Sequence, residues 1–218
     1  MIENNELFSK MNIEEINDIL KKCEAKTVKF KKDEVIISPG NLVDKFGIIL
    51  SGNLMGLYND YWGNRTILTK LKENDMFGEA FALSRQTNVG VSVVSVSDSE
   101  ILFIEYDKFI SLDNKEIIKN MLKILSEKNV FLTSKIECLS KRSIRSKLLS
   151  YLSDVALKKN TNEFEIPFDR QELADFLGVD RSALSSELSK LQKENILKFN
   201  KNKFKLIWYL IKTLTKFH

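Results

Sequence analysis

Histidine is almost missing from this chain. The single one is the last residue, His218, so Ser-His-Asp and Cys-His catalysis have no base, and histidine-based metal sites have no ligands. Cysteine is nearly as scarce. Cys23 and Cys138 stand far apart with no C-x-x-C spacing, which argues against a disulfide framework and against a thiolate-held zinc or iron–sulfur centre. Neither G-x-x-x-x-G-K-[ST] nor G-x-G-x-x-G occurs. No apolar run reaches the roughly 18 residues that a bilayer span needs. The first ten residues, MIENNELFSK, are polar and acidic, where a secretory signal has a basic stretch before an apolar core. These absences lead us to expect a cytoplasmic protein with no membrane partner, no cofactor, no metal and no enzymatic activity.

What is present is a sizeable core and an uneven charge. Of the 218 residues 43% are hydrophobic and 29% charged, enough for two modest domains. Residues 1–140 carry 18 Lys+Arg against 21 Asp+Glu, whereas residues 141–218 carry 16 against 9. The last third is therefore a basic module attached to a mildly acidic one. Clustered positive charge favours polyanions, because binding phosphates releases counterions. A generally lysine-rich surface is the plainer alternative.

After a helical stretch from Ile13 to Cys23, the chain takes on the texture of strands. AKTVKFKKDEVIISPG alternates polar and apolar residues and ends on Pro39–Gly40, and KFGIILSGNLMGLY is punctuated by Gly47 and Gly52. YNDYWGNRTILTKL reads as a hairpin turning at Asn59, Asp60, Gly63 and Asn64. DMFGEAF and VGVSVVSVSDSEILFIEY follow, the latter broken at Ser97–Asp98–Ser99. Short strands at this spacing predict a β-sandwich or barrel, a double-sheet roll being one form. From Asn114 to Leu139 there is no Gly or Pro. Ile118, Met121, Leu125, Leu132, Ile136 and Leu139 there approximate a heptad seam, interrupted near Lys128–Asn129. The seam predicts a dimer coiled coil about 39 Å long, with packing along the roll as the alternative. A further helix, RSIRSKLLSYLSDVAL, precedes a polar and then strand-like segment, 158–168.

RQELADFLGVDRSALSSEL, from Arg170 to Leu188, is a candidate reader. Asp169 can cap the first helix with Glu172 reaching back. Gly178 permits the turn, Val179 plugs the corner and Asp180 caps the second helix. If Leu184, Leu188 and Leu191 point inward, Arg181, Ser182, Ser185 and Ser189 point outward, with Ser186 on the flank. This pattern predicts a helix-turn-helix whose second helix enters the major groove. Serines discriminate bases weakly, so Arg181 is the candidate for a bidentate guanine contact, or else a phosphate clamp. NILKFNKNKFKLI then reads as a basic hairpin wing carrying Lys198, Lys201, Lys203 and Lys205, and WYLIKTLTKFH as an added helix. The candidate DNA contacts are Arg170, Gln171, Arg181, Ser182, Ser185, Ser186, Ser189, Lys190 and Lys201. The fold class is α+β.

The order of these parts resembles the CRP/FNR family of transcription regulators over nearly the whole chain. The resemblance rests on KDEVIISPGNLVDKFGIILSGNL, DMFGEAF, the long helix and RQELADFLGVDRSALSSELSKLQKENIL. It implies a cyclic-nucleotide-binding-like roll (a jelly-roll, or double-stranded β-helix) over 1–112, a dimerisation helix over 113–140 and a winged-helix DNA reader over 141–218. It also implies a homodimer on a palindromic duplex, RNA polymerase as a partner if the protein activates, and a small-molecule effector relayed through the long helix. The alternative is a sensor or interaction protein whose helix-turn-helix reads no sequence.

Two departures from the family pattern bear on function. Cyclic-nucleotide binders of the family carry Gly-Glu and, about ten residues later, Arg followed by Ser or Thr. Gly78–Glu79 match, but Val89–Gly90 stand where Arg-Ser belongs. A phosphate desolvated without a cation is costly, so cAMP is not the expected effector unless Arg85 is brought in by a shifted loop. Glu79 is then expected to be structural, with Thr133 or Ser134 of the long helix near whatever effector binds. The cysteine cluster of the iron–sulfur branch is absent, as is the histidine of the haem branch. In the reader, Ser182 and Ser186 occupy positions where relatives carry glutamate and arginine, while Arg181 matches, so the family's familiar half-site does not follow.

Overall fold

The computed structural model describes residues 2–59, 61–62, 65–84 and 89–207. Arg85, the hairpin-turn residues Asp60, Gly63 and Asn64, and the expected helix at WYLIKTLTKFH lie outside them. The chain divides after Asn129 into two compact units.

The first unit begins with helix α1, Ile13–Lys22, started by a reciprocal cap. Asn12 Oδ1 accepts from Glu15 N at 2.9 Å and Glu15 Oε2 accepts from Asn12 N at 2.8 Å. Eight strands follow: β1 Lys26–Phe30, β2 Val35–Ile37, β3 Lys45–Ser51, β4 Asn53–Asn59, β5 Arg65–Lys72, β6 Met76–Phe77, β7 Ser92–Ser95 and β8 Ser99–Glu105. They form two antiparallel four-stranded sheets, ordered β1-β8-β3-β6 and β2-β7-β4-β5. Short helices α2, Glu79–Ser84, and α3, Tyr106–Ile110, flank the last strands.

The inner strands of the first sheet, β3 and β8, are buried on both faces, and the two-residue period of a strand sorts their side chains. Phe46, Ile48, Leu102 and Ile104 enter one core, shared with Leu7, Phe8, Ile16 and Phe109. Ile49 and Ile101 enter the roll interior with Ile37, Leu54, Phe77, Val89 and Val93. Gly47, read from sequence as punctuation, lies inside β3 instead. A Cβ there would sit 2.5 Å from the Phe77 ring and 2.9 Å from Ile101 Cγ2, so the missing side chain is what admits the phenyl ring.

The long helix α4, Lys115–Leu139, spans the division between units. On its first half Ile117, Met121 and Ile124 are core residues of the first unit, with Ile118 and Leu125 packed partly against them. Met121, expected in the seam, is only 4% exposed because it fills this core. Its neighbour Leu122, 60% exposed, stands on the outward face instead.

The second unit contains the end of α4, then α5 Ile144–Lys159, β9 Glu163–Glu165, α6 Arg170–Leu177, α7 Arg181–Lys193, β10 Leu197–Asn200 and β11 Lys203–Leu206. The three strands form one antiparallel sheet, β10-β11-β9. Leu148, Leu152, Leu173, Leu177, Leu184 and Leu188 are fully buried. Lys135 is buried with them, its ammonium 4.0 Å from the centre of the Phe176 ring. Ring faces attract cations, yet burial dominates and pushes the Lys135 pKa down from 10.5 to about 8. The folded state therefore penalises the charged form. That penalty is constant below about pH 8 and is relieved as pH rises from there toward 10.5. Denaturant titrations across this window should show stability rising relative to a Lys135→Met variant; parallel curves would contradict the assignment.

Candidate functional site

The reader is built by local chemistry at each helix end. Asp169 Oδ1 accepts from Glu172 N at 2.8 Å and Glu172 Oε2 accepts from Asp169 N at 2.7 Å, which fixes the start of α6. Gly178 ends that helix in the left-handed region, φ 60°, where a side chain is strained. Val179 N then donates to Ala174 O at 3.1 Å. Asp180 caps α7, accepting from Ala183 N at 2.9 Å and from the Ser182 hydroxyl at 2.5 Å. The Ser182 hydroxyl and the Ala183 amide hold its carboxyl below the usual range. Leu184, Leu188 and Leu191 are fully buried, so Arg181, Ser182, Ser186, Ser189 and Lys190 are exposed and Ser185 is half-buried.

The serines are not equivalent. The Ser182 hydroxyl is engaged by Asp180, and Ser189 Oγ donates to Ser185 O at 3.0 Å. Among the described residues, Ser185 and Ser186 carry no such side-chain bond. Lys190 lies 4.0 Å from Glu187, and Gln171 Nε2 donates to Asp175 Oδ1 at 2.8 Å. Arg145 reaches from α5 to Glu194 at 2.5 Å and Glu187 at 3.6 Å, which ties α5 to α7 and its C-cap.

The wing closes one side of the reader. β10 and β11 join through Lys201–Asn202, and β9 completes the sheet with Lys203 opposite Glu165 and Lys205 opposite Glu163. Lys205 and Glu163 form an ion pair, so the wing presents less positive charge than its lysine count implies. A cleft between the start of α6 and the wing turn is lined by Arg170, Gln171, Arg181, Lys201 and Asn202. Within it Arg170 donates to Lys201 O at 3.3 Å and lies 5.0 Å from the Phe199 ring centre. Partial burial, and then Arg181, lower the Arg170 pKa. Three cations, from α6, α7 and the wing turn, thus converge at one mouth. The aromatic support from Phe199 escaped the sequence reading, because a Phe between polar residues in a strand reads as core.

In the roll, Gly78 and Glu79 open α2, and Val89 is a core residue at 1% exposure beside the exposed Gly90. Glu79 is 3% exposed, and its Oε1 accepts from Lys128 Nζ at 2.7 Å. Lys128 also donates to Met76 O at 2.5 Å. Glu79 Oε2 is buried without a hydrogen-bond partner. The glutamate is therefore neutralised by the long helix. Lys128 was missed as its partner; the only mark it left in the sequence was the interruption of the apolar seam. Thr133 is exposed on the part of α4 that belongs to the second unit.

Along α4, Leu132 and Ile136 are 54% and 68% exposed and Leu139 is half-buried. Among the described residues there is no group of His, Cys, Asp and Glu that could hold a metal ion, and no helix long and apolar enough to cross a membrane.

Comparison with known proteins adds to this geometry. The cyclic nucleotide-binding domain family matches residues 27–116, and the Crp-like helix-turn-helix domain family matches residues 146–208. The cAMP-activated global transcriptional regulator CRP of Pasteurella multocida (strain Pm70) is 22% identical over 175 residues, which is 78% of this chain and 84% of that protein. An OCPA-complexed CprK superposes with a TM-score of 0.75 at 15% identity, covering 93% of this chain and 94% of that one. A CooA variant from Carboxydothermus hydrogenoformans gives 0.73 at 20% identity, covering 98% and 99%. These structural likenesses establish the fold.

Removing Lys128 leaves the buried Glu79 carboxylate without its cation. Lys128→Met should destabilise the first unit by about 1–3 kcal/mol, the lysine being partly exposed and its pair partly screened. Denaturant unfolding should show most of that loss recovered in the Lys128→Met/Glu79→Gln double variant. Additive losses would mean that the two residues do not act as a pair.

Proposed function

The chain belongs to the CRP/FNR family of transcription regulators, and from that membership we propose that it is a homodimeric, sequence-specific DNA-binding regulator whose roll answers to an effector other than cAMP. As a transcription regulator it is not an enzyme.

The observation that carries the reading is the convergence of Arg170, Arg181 and Lys201 beside the exposed, short-chained face of α7. A narrow row of serines lets the helix backbone approach base edges closely, while the cations hold phosphates. Lys190, Gln171, Ser185, Ser186 and Ser189 lie on α6 and α7 around that face. In this reading Arg181 makes the direct base contact and Lys201 grips backbone from the wing. The homodimer places two readers on the halves of a palindromic duplex, one helical turn or a multiple apart. RNA polymerase is a partner if the regulator activates, and the cytoplasm is its compartment.

The case against cAMP rests on charge. A cyclic phosphate needs a cation in the roll, and the family's arginine position is taken by Val89, which is packed into the apolar interior. The Glu79 carboxylate, which would face a ribose in that reading, is already paired with Lys128. Relatives support a roll that is adaptable in what it accepts: the Pasteurella protein is cAMP-activated, whereas the CprK structure holds OCPA. An effector would act through α4 by shifting the balance between two dimer states, with Thr133 a candidate contact.

Selection of bound duplexes from a random pool tests the whole reading, and recovery of no shared sequence would defeat it. On the selected site, Arg181→Ala should lose roughly 1–3 kcal/mol and relax preference at one base position. Lys201→Ala should weaken all sequences alike and lower the salt slope by about one. If Arg181→Ala behaved like Lys201→Ala, Arg181 would be a phosphate contact. Saturating cAMP should leave both Tm and operator affinity unchanged; a rise in either would overturn the assignment of the roll.

A further inference from the structure

The first residue of α6 is an arginine in a place that suits a cation poorly. Arg170 stands at the N-terminal end of its helix, where the backbone dipole favours negative charge. It is half-buried, and burial, followed by the charge of Arg181, works against its protonated form. A guanidinium so placed would turn out to water unless something held it. Two contacts do. Its Cζ lies over the Phe199 ring of β10, 5.0 Å from the centre, and its Nη2 donates to Lys201 O in the wing turn at 3.3 Å. A ring face and a carbonyl oxygen both favour a cation.

Lys201 is unusual in its backbone. Asn200 pairs with Lys203, so Lys201 and Asn202 form a two-residue hairpin turn. Lys201 takes the left-handed region there, φ 54°, a conformation that turns usually give to Gly or Asn. Such a conformation persists where surrounding contacts over-determine it. Asn202 Nδ2 donates to Glu165 Oε1 at 2.8 Å and to Ile166 O at 3.2 Å, and Ile166 N donates to Asn202 O at 3.0 Å. These bonds tie the second residue of the turn to β9 and its end. Among these contacts, only the one from Arg170 grips Lys201 itself. The Lys201 side chain is left exposed, whereas Lys205 is paired with Glu163 and Glu165 is taken by Asn202.

We infer that Arg170 is a positioning residue, which acts on DNA through Lys201 by holding the wing turn in the shape that presents that lysine to a phosphate. This rests on the DNA-binding reading above and divides its three cations into two contacts, Arg181 and Lys201, and one support. An ordered turn lowers the cost of binding, because its backbone freedom is lost before the duplex arrives.

Binding of the full-length chain to a mixed-sequence DNA duplex across a range of salt tests this, together with backbone amide order parameters of the free chain. Arg170→Ala removes the whole side chain, and Arg170→Met keeps an aliphatic stem without the guanidinium. Both should lower the order parameters at Lys201 and Asn202 before any DNA is added. Both should also mimic Lys201→Ala on the duplex, the salt slope falling by about one. A rise from about 50 to 200 mM salt then costs each variant roughly threefold less affinity than it costs the parent chain. In a Lys201→Ala background neither substitution should lower slope or affinity further. If the double variants lose a second unit of slope, Arg170 grips a phosphate itself and the positioning role is overturned. Equal weakening in both backgrounds would mean a general loss of structure and overturns it too, as do order parameters unchanged in both Arg170 variants. A parent chain that binds no duplex even at low salt defeats the DNA-binding reading, and this role with it.

Discussion

The burial of one face of α4 is the constraint on which the rest depends. Ile117, Met121 and Ile124 fill a core shared with the first sheet and the N-terminal segment, and that burial fixes the rotation of the helix about its own axis. Once that rotation is fixed, Leu122, Leu132 and Ile136 stand outside. Lys128 is likewise aimed at Glu79 by the same rotation, because it follows Met121 by seven residues, nearly two full turns. A single packing decision therefore sets the exposed apolar stripe and the neutralisation of the roll's glutamate together.

Apolar fit and polar satisfaction play different parts in the two units. The roll interior is aliphatic and aromatic, and its one notable buried charge, Glu79, has a cation on one oxygen and nothing on the other. Leaving a carboxylate oxygen unpartnered is expensive, and an effector that donates to it would recover that cost. The reader inverts this economy. Its helix ends are satisfied by Asp169, Glu172, Asp180 and Gly178, so its outward face is free to carry groups chosen for another molecule.

Much of the reader was legible in sequence, because its signals are local. Caps act over three residues, a left-handed turn needs a glycine, and Leu184, Leu188 and Leu191 follow the helical period. The strands of the roll were legible for a similar reason, their alternation and turns being short-range. Pairings across the fold were less legible. Glu163 neutralises Lys205 through strand pairing over some forty residues, and Arg170, at the start of α6, rests on Phe199 of β10. Neither partner is marked by spacing.

By itself the sequence determined the element order, the helix-turn-helix with its wing, and the basic last third. It could do so because each of these depends on neighbouring residues or on which residue types are present at all. Only the tertiary structure decided that Met121 is core and Leu122 exposed, that Gly47 makes room for Phe77, and that Lys128 holds Glu79. Helical periodicity leaves adjacent apolar residues equivalent until one of them meets a packed surface. Over the first half of α4 that surface is the first sheet and its N-terminal cover, which sort one stripe from the other.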